Sequence, residues 1–314
     1  MKKELKIIEG KLIPCDNEEE SIVTIFISPT KEECQRLIEE YHIDEHTLNS
    51  SLDPDEISRL EFEENHIAMI IKRPKNYSTK DNFLFKVTSI GLFIFKNKMI
   101  IVMPEDIQIL ERKFEGKPNL KINNLNDILL KLLYGTIYHF LGHLRVINMI
   151  SDSIEEKINT SMENKYLINM FTLEKSLVYY LNGITSNGVL LEKIKTNINK
   201  FHFTEQQIET LEDVIIENTQ CHKQAEIYSN ILAGLMDARF SIVNNNLNIL
   251  IKSLTILSVV FMPLNVIAGI GGMSEFSMMT QGIDWRISYS LLILGLIGVA
   301  FLTYFILRIF FKKK

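Results

Sequence analysis

Cysteine is scarce in this chain, with three among 314 residues. Cys15, Cys34 and Cys221 lie far apart and are odd in number, which argues against a disulfide framework or a zinc cluster and fits reduced thiols. The seven histidines do not make a catalytic metal site either. His139 and His143 stand at i and i+4 without the Glu of an H-E-x-x-H helix, and His42, His46, His66, His202 and His222 are scattered. No Ser elbow, phosphate loop or paired-acid constellation is present, so nothing in the chain argues for catalysis and no catalytic cofactor is expected. The net charge of −5, with basic residues gathered near the C-terminus, leaves the rest of the chain more acidic than the whole and makes nucleic acid an unsuitable partner. Met1 to Gly10 lacks the apolar core of a signal peptide, so the N-terminal bulk is not expected to be exported.

Two stretches lack charge altogether. Ser253 to Ser274 and Ile287 to Leu307 contain no charged side chain, and each is long enough for a helix to cross a hydrocarbon core of ~30 Å at ~1.5 Å per residue. Only Glu275 to Arg286 separates them, so the chain is expected to end as a membrane hairpin. Arg239 and Lys252 precede the first span, while Arg308, Lys312, Lys313 and Lys314 follow the second. This bias places the N-terminal bulk and the tail on the cytoplasmic side of a plasma (inner) membrane and the loop outside. Trp285 and Tyr289 read as interfacial anchors, and Glu275 and Asp284 would lend the loop a negative field that Arg286 offsets in part.

Polar residues in and before the first span follow a pattern. Asn248, Thr255, Met262 and Gly269 recur every seven residues, with Ile251, Ser258 and Asn265 three after each of the first three. That is the spacing of a helix-packing seam. An unpaired amide in hydrocarbon costs several kcal/mol, so this stripe must face other helices or water. Two readings stay open: interhelical glue, or the lining of a channel enclosed by a ring of subunits, since two spans alone cannot surround a pore.

The soluble part begins with short apolar runs rich in β-branched and aromatic residues. Ile22 to Ile27, Ile67 to Ile71, Phe83 to Phe95 and Met99 to Val102 are expected as strands, the last two joined as a hairpin through Lys96, Asn97 and Lys98. Thr30 to Tyr41 and Glu45 to Ser50 are expected as short helices. Proline then disappears between Pro118 and Pro263, and helical periodicity takes over from Leu125 to about Glu163, from Leu167 to about Asn199, and from Thr204 onward. Thr204 with Gln207 forms a capping-box start. Unbroken from Glu205 to Met262, the last helix would be about 87 Å long at ~1.5 Å per residue. The expected organisation is an α/β cytoplasmic domain (1–118), a cytoplasmic helical hairpin (119–203), a long stalk helix (204–252), a first transmembrane helix (253–274), an extracellular loop (275–286), a second transmembrane helix (287–309) and a basic tail (310–314).

The stretch FMPLNVIAGIGGMSEF, Phe261 to Phe276, resembles the end of the pore helix in the CorA family of divalent-cation channels, where F-x-P-x-T-x-I-A-G-I-Y-G-M-N closes the first of two C-terminal spans. NILIKSLT upstream and FKKK at the end fit the same family, and Leu37 to Ile70 resembles its soluble domain more loosely. The resemblance implies a CorA-like funnel, a homopentamer in a lipid bilayer, and passage of hydrated Mg²⁺, with Co²⁺ or Ni²⁺ as further passengers. It implies a pore lined by Asn248, Ile251, Leu254, Thr255, Ser258, Met262, Asn265 and Gly269, with Leu254 at a hydrophobic constriction, and a selectivity loop of Gly272, Met273, Ser274 and Glu275. It also implies regulatory Mg²⁺ held by carboxylates between subunits. Counting back from Asn248, one of these falls on Asp213, with Asp81 the nearest acid near a neighbour's strand. The sequence departs from the family where Ser274 stands for the signature Asn and Gly271 for the aromatic before it. The shorter Ser arm would widen the ring and weaken its hold on hydrated Mg²⁺. A ZntB-type, proton-linked or exporting transporter therefore stays open, as does a nonconducting membrane scaffold.

Overall fold

A computed structural model describes residues 1–77, 82–106, 121–160 and 164–312. The chain forms two compact units, Met1–Met236 and Asp237–Lys314.

The first unit is built on a sheet of strands β1 (Lys2–Ile8), β2 (Lys11–Pro14), β3 (Val23–Ile27), β4 (Arg59–Phe62), β5 (Ile67–Pro74), β6 (Val87–Ile94) and β7 (Met99–Met103), in the order β2-β1-β3-β7-β6-β5-β4. Every neighbouring pair is antiparallel except β3 with β7, which run parallel with Val23 opposite Met99. β6 and β7 form the expected hairpin. β3 and β7 are buried at every position because helices cover both faces, and such strands read as continuous apolar runs.

The side chains divide by parity. Val23, Ile25 and Ile27 of β3, with Met99, Ile101 and Met103 of β7, join the larger core, while Phe26, Ile100 and Val102 join a smaller one with Leu37, Ile43 and Leu48. The smaller core lies under α1 (Lys31–Tyr41) and α2 (Glu45–Leu52). Thr30 starts α1 through a capping box, accepting from Glu33 N at 3.2 Å while Glu33 Oε2 accepts from Thr30 N at 2.8 Å. α2 comes so close to the sheet that a Cβ at Gly91 would stand 2.5 Å from Ser51 Cβ, which explains a glycine inside a buried strand.

The opposite face carries α3 (Leu125–Thr160) and α4 (Asn164–Thr196). α4 is pinned to β5 by Asn187, whose Oδ1 accepts from Lys72 N at 2.9 Å and Ser58 Oγ at 2.7 Å while its Nδ2 donates to Lys72 O at 2.7 Å. Asn187 thus pairs a strand's backbone from a helix, and each buried group left without it would cost about 1–3 kcal/mol. Beside it, the buried ammonium of Lys72 donates to Pro54 O at 2.6 Å and Ser89 Oγ at 3.0 Å, and burial holds its pKa below the ordinary lysine range. A short turn of helix, α5 (Ile198–Phe201), leads into α6 (Glu205–Gly271), whose 67 residues run uninterrupted past Gly234 and Pro263. The predicted box at its start is present, with Thr204 N donating to Gln207 Oε1 at 3.1 Å and Gln207 N donating to Thr204 Oγ1 at 3.3 Å.

Three strands were not anticipated from sequence. β1, β2 and β4 carry mixed polar and apolar residues; β2 and β4 are the edge strands and β1 lies next to β2, so β1 and β4 are mostly half-buried and β2 is largely exposed. Edge strands lack the unbroken apolar signature of central ones. The second expected long helix also ends earlier than predicted, at Thr196, and a separate turn follows.

The second unit holds the last part of α6, then α7 (Ser274–Met279) and α8 (Trp285–Lys312). The first span, expected to reach residue 274, is helical only to Gly271, and Ser274 instead opens α7. Pro263 removes one ladder hydrogen bond, the one its missing N–H would give Val259 O, without ending the helix.

Candidate functional site

The wet stripe lies on one side of α6. Asn248, Ile251, Leu254, Thr255, Ser258, Met262, Asn265 and Gly269 are all exposed, Leu254 at 65% and Met262 at 73%. At ~100° per residue, Ile256, Val260, Pro263, Leu264 and Ile267 occupy the opposite side, and all five are half-buried. Gly271 continues that covered side and is buried against Leu292 of α8, where an added Cβ would stand 2.5 Å from Leu292 Cδ2. The contact within the chain therefore takes the dry face of α6 and leaves the polar one open.

The hydroxyls on the stripe are already committed as donors. Thr255 Oγ1 donates to Ile251 O at 2.8 Å and Ser258 Oγ donates to Leu254 O at 2.9 Å. Their oxygens keep lone pairs that can only accept. Waters around a dication point their hydrogens outward, so acceptor oxygens suit a hydrated cation. Neither span has a charge between Ser253 and Ser274 or between Ile287 and Leu307, and stripping a dication against neutral oxygens alone would be very costly.

Beyond Gly271 the turn is held by Gly272 N donating to Ala268 O at 3.1 Å and Met273 N donating to Ile270 O at 3.1 Å. Gly272, Met273, Ser274 and Glu275 are exposed there, and Ser274 Oγ donates to Glu275 Oε2 at 3.2 Å. Phe276 packs edge-on against Tyr289 at 6.0 Å. Asp284, read from sequence as a field-forming acid, also starts α8 by accepting from Arg286 N at 2.9 Å. Its position just before an apolar run was the available signal for a cap.

Other candidates resolve differently. His139 and His143 lie 4.4 Å apart, but His139 Nδ1 accepts from Arg73 Nε at 3.2 Å and His143 Nδ1 lies 2.6 Å from the Tyr180 hydroxyl. Burial raises the Tyr180 pKa well above the ordinary value, so the phenol stays protonated beside His143. The histidines are a packed polar pair. Asp213 is exposed on α6 beside Glu212, which pairs with Lys195 Nζ at 3.2 Å. Asp81 lies outside the described residues. Among the described residues, no group of three or more His, Cys, Asp or Glu side chains could hold a metal ion. Cys15, Cys34 and Cys221 are free, and burial pushes the Cys221 thiol up to about 12.

Two helices, α8 and the last part of α6, are long and apolar enough to cross a bilayer, and they follow a folded α/β unit. That is the build of an integral-membrane protein with a large domain outside the bilayer. The family model described as CorA-like Mg²⁺ transporter protein matches residues 24–313, and the chain belongs to that family of divalent-cation transporters. The cobalt/magnesium transport protein CorA of Methanocaldococcus jannaschii is 25% identical over 289 residues, covering 87% of this chain and 86% of that protein. The complete structure of the CorA magnesium transporter from the same organism superposes with a TM-score of 0.75 at 20% identity, covering 98% of this chain and 96% of that one. The cytoplasmic domain of ZntB from Vibrio parahaemolyticus shares the fold, with a TM-score of 0.58 at 11% identity over 77% of this chain and 98% of that one.

Proposed function

We propose that copies of this chain assemble as a homopentamer whose α6 stripes face one another and enclose a path for hydrated Mg²⁺, running down its electrochemical gradient. The observation that carries this reading is the placement of the stripe: Leu292 of α8 packs at Gly271 on the opposite side of α6, while Asn248, Thr255, Ser258 and Asn265 stay open with oxygens that accept. Lipid offers such groups nothing, and other copies with water between them do. Leu254 repeated around the ring would form an apolar constriction that gates by dewetting. Gly272, Met273, Ser274 and Glu275 would form the outer mouth, with both termini on the cytoplasmic side. The chain acts as a channel and takes Mg²⁺ as cargo and regulator, with Asp213 and Asp81 contributing to regulatory binding between neighbours.

The test is flux in proteoliposomes across a panel of Mg²⁺, Co²⁺, Ni²⁺ and Zn²⁺, with and without a proton gradient, on oligomers of measured mass. Mg²⁺ flux that ignores the proton gradient supports the reading. The Ser at position 274 favours one alternative, a ZntB-like carrier with a weaker hold on hydrated Mg²⁺, and flux that stops when the proton gradient collapses would select it. Intact oligomers that pass no ion would leave a nonconducting scaffold.

A further inference from the structure

Ser274 stands where the family motif carries Asn, and the structure gives its hydroxyl a partner. Ser274 Oγ donates to Glu275 Oε2 at 3.2 Å, with both side chains exposed just beyond the end of α6. A hydroxyl has a single proton, so Ser274 keeps only acceptor lone pairs for a hydrated ion, and an acid stands one hydrogen bond behind them. An ion hydrate that touches the Ser274 oxygen is therefore within reach of the Glu275 carboxylate, directly or through a bridging water.

Glu275, Asp284 and Arg286 are the charged residues between Lys252 and Arg308. Asp284 Oδ1 accepts from Arg286 N at 2.9 Å at the start of α8, and the Arg286 guanidinium lies 5.5 Å from the centre of the Trp285 ring. Among the described residues Glu275 makes no ion pair, and the Ser274 hydroxyl is its side-chain donor.

The Asn of the family motif offers a hydrated ion a neutral amide oxygen. Here the acceptor is a hydroxyl backed by a full negative charge, and charge-assisted hydrogen bonds are roughly twice as strong as neutral ones. The shorter arm of Ser274 loosens the hold on the ion, and the charge beside it tightens that hold.

We propose that Glu275 is the specificity-determining residue of the outer mouth, its carboxylate replacing the amide of the family motif as the group that captures hydrated divalent cations. Ser274 is its positioning residue. The inference rests on the reading of residues 272–275 as the mouth of a conducting path.

Glu275 also lies in the first turn of α7, where an acid can support the helix alone, so charge capture and helix support must be separated. Half-saturating Mg²⁺ is read from initial flux into proteoliposomes carrying the full chain, for variants that keep the oligomer mass of wild type. Glu275→Gln removes the charge and keeps the size, and should raise that concentration about tenfold or more. Asp284→Asn keeps a capping side chain at the start of α8 and should raise it about twofold or less, as a charge acting through screened solvent does. Adding Ser274→Asn to Glu275→Gln restores an amide at the mouth and should recover most of the loss. Raising ionic strength from about 0.05 to 0.5 M should weaken Mg²⁺ more steeply in wild type than in Glu275→Gln, because screening acts on the charge.

Equal half-saturation in conducting wild type and Glu275→Gln would overturn this inference and leave the conducting path standing. A Glu275→Gln loss that keeps the wild-type salt dependence would reduce the residue to helix support and overturn it as well. So would an equal loss from Asp284→Asn, which would assign the effect to the general field of the loop. Wild-type chain that passes no ion would overturn both this inference and the transport reading beneath it.

Discussion

Gln207 Nε2 donates to Asp127 Oδ1 at 2.6 Å, joining the starts of two long helices through one side chain. The same nitrogen reaches Asn124 Oδ1 at 3.0 Å, while Asp127 Oδ2 accepts from Asn123 N at 2.8 Å and Asn124 N at 3.3 Å. Gln207 also closes the capping box of α6 and is 5% exposed. Capping alone would accept Glu at this place, because either side chain can take a hydrogen bond from Thr204 N. The link to Asp127 needs the amide, since a carboxylate there has no donor and repels its partner.

Gln207→Glu is therefore expected to lower stability by about 1–3 kcal/mol at neutral pH, although it keeps a legitimate capping sequence. The loss should shrink as pH falls through the carboxylate range and one of the two acids takes a proton. Apparent Tm of the purified chain by circular dichroism, followed from pH 7 to about 4.5 against wild type, checks this. Equal stability at neutral pH would show that the link between α3 and α6 contributes nothing.

Gly271 has its own test. An added methyl meets the flexible end of Leu292, so Gly271→Ala should cost only about 0.5–1.5 kcal/mol for a shifted rotamer. Gly271→Tyr, which restores the aromatic of the family motif, overpacks the contact and should cost more, about 1–3 kcal/mol. Pairing it with Leu292→Ala should recover most of the loss of monodisperse oligomer in detergent. If Gly271→Tyr alone is as stable and monodisperse as wild type, the packing explanation of this glycine fails.

His66 makes stability depend on pH in a definite direction. Burial holds its pKa below the ordinary 6.5, with Glu63 opposing in part. The unfolded chain thus binds the proton more readily, and stability is lost as pH falls below about 6.5 until the folded-state value is reached. One proton gives a slope of at most ~1.4 kcal/mol per pH unit. His66→Phe keeps the stack on Phe95 and should flatten the unfolding profile in that window. An unchanged slope would assign the acid sensitivity elsewhere.

Asp213 bears on regulation. Asp213→Ala should raise the Mg²⁺ concentration needed to suppress flux, by about tenfold if the carboxylate contributes one charged contact. Mg²⁺ protection against limited proteolysis should shift in parallel. Flux and protection that respond to Mg²⁺ as in wild type would remove Asp213 from any sensor site.

Much of this protein was determined by its sequence alone, wherever the physics is local. Two uncharged runs define spans because hydrocarbon penalises charge at every position. β3, β5, β6 and β7 were legible because central strands are continuously apolar, and Thr204 with Gln207 marked the start of α6 because a cap is satisfied within one turn. Tertiary structure decided what depends on partners distant in sequence. β1, β2 and β4 acquire strand character from the strands they pair with toward the two ends of the sheet. The glycines at 91 and 271 are explained only by Ser51 and Leu292, which approach too closely for a side chain. The second role of Gln207 required Asp127 to arrive from another helix. Sequence pattern specifies which face of an element is apolar, and only packing specifies what that face, or the polar one opposite, comes to meet.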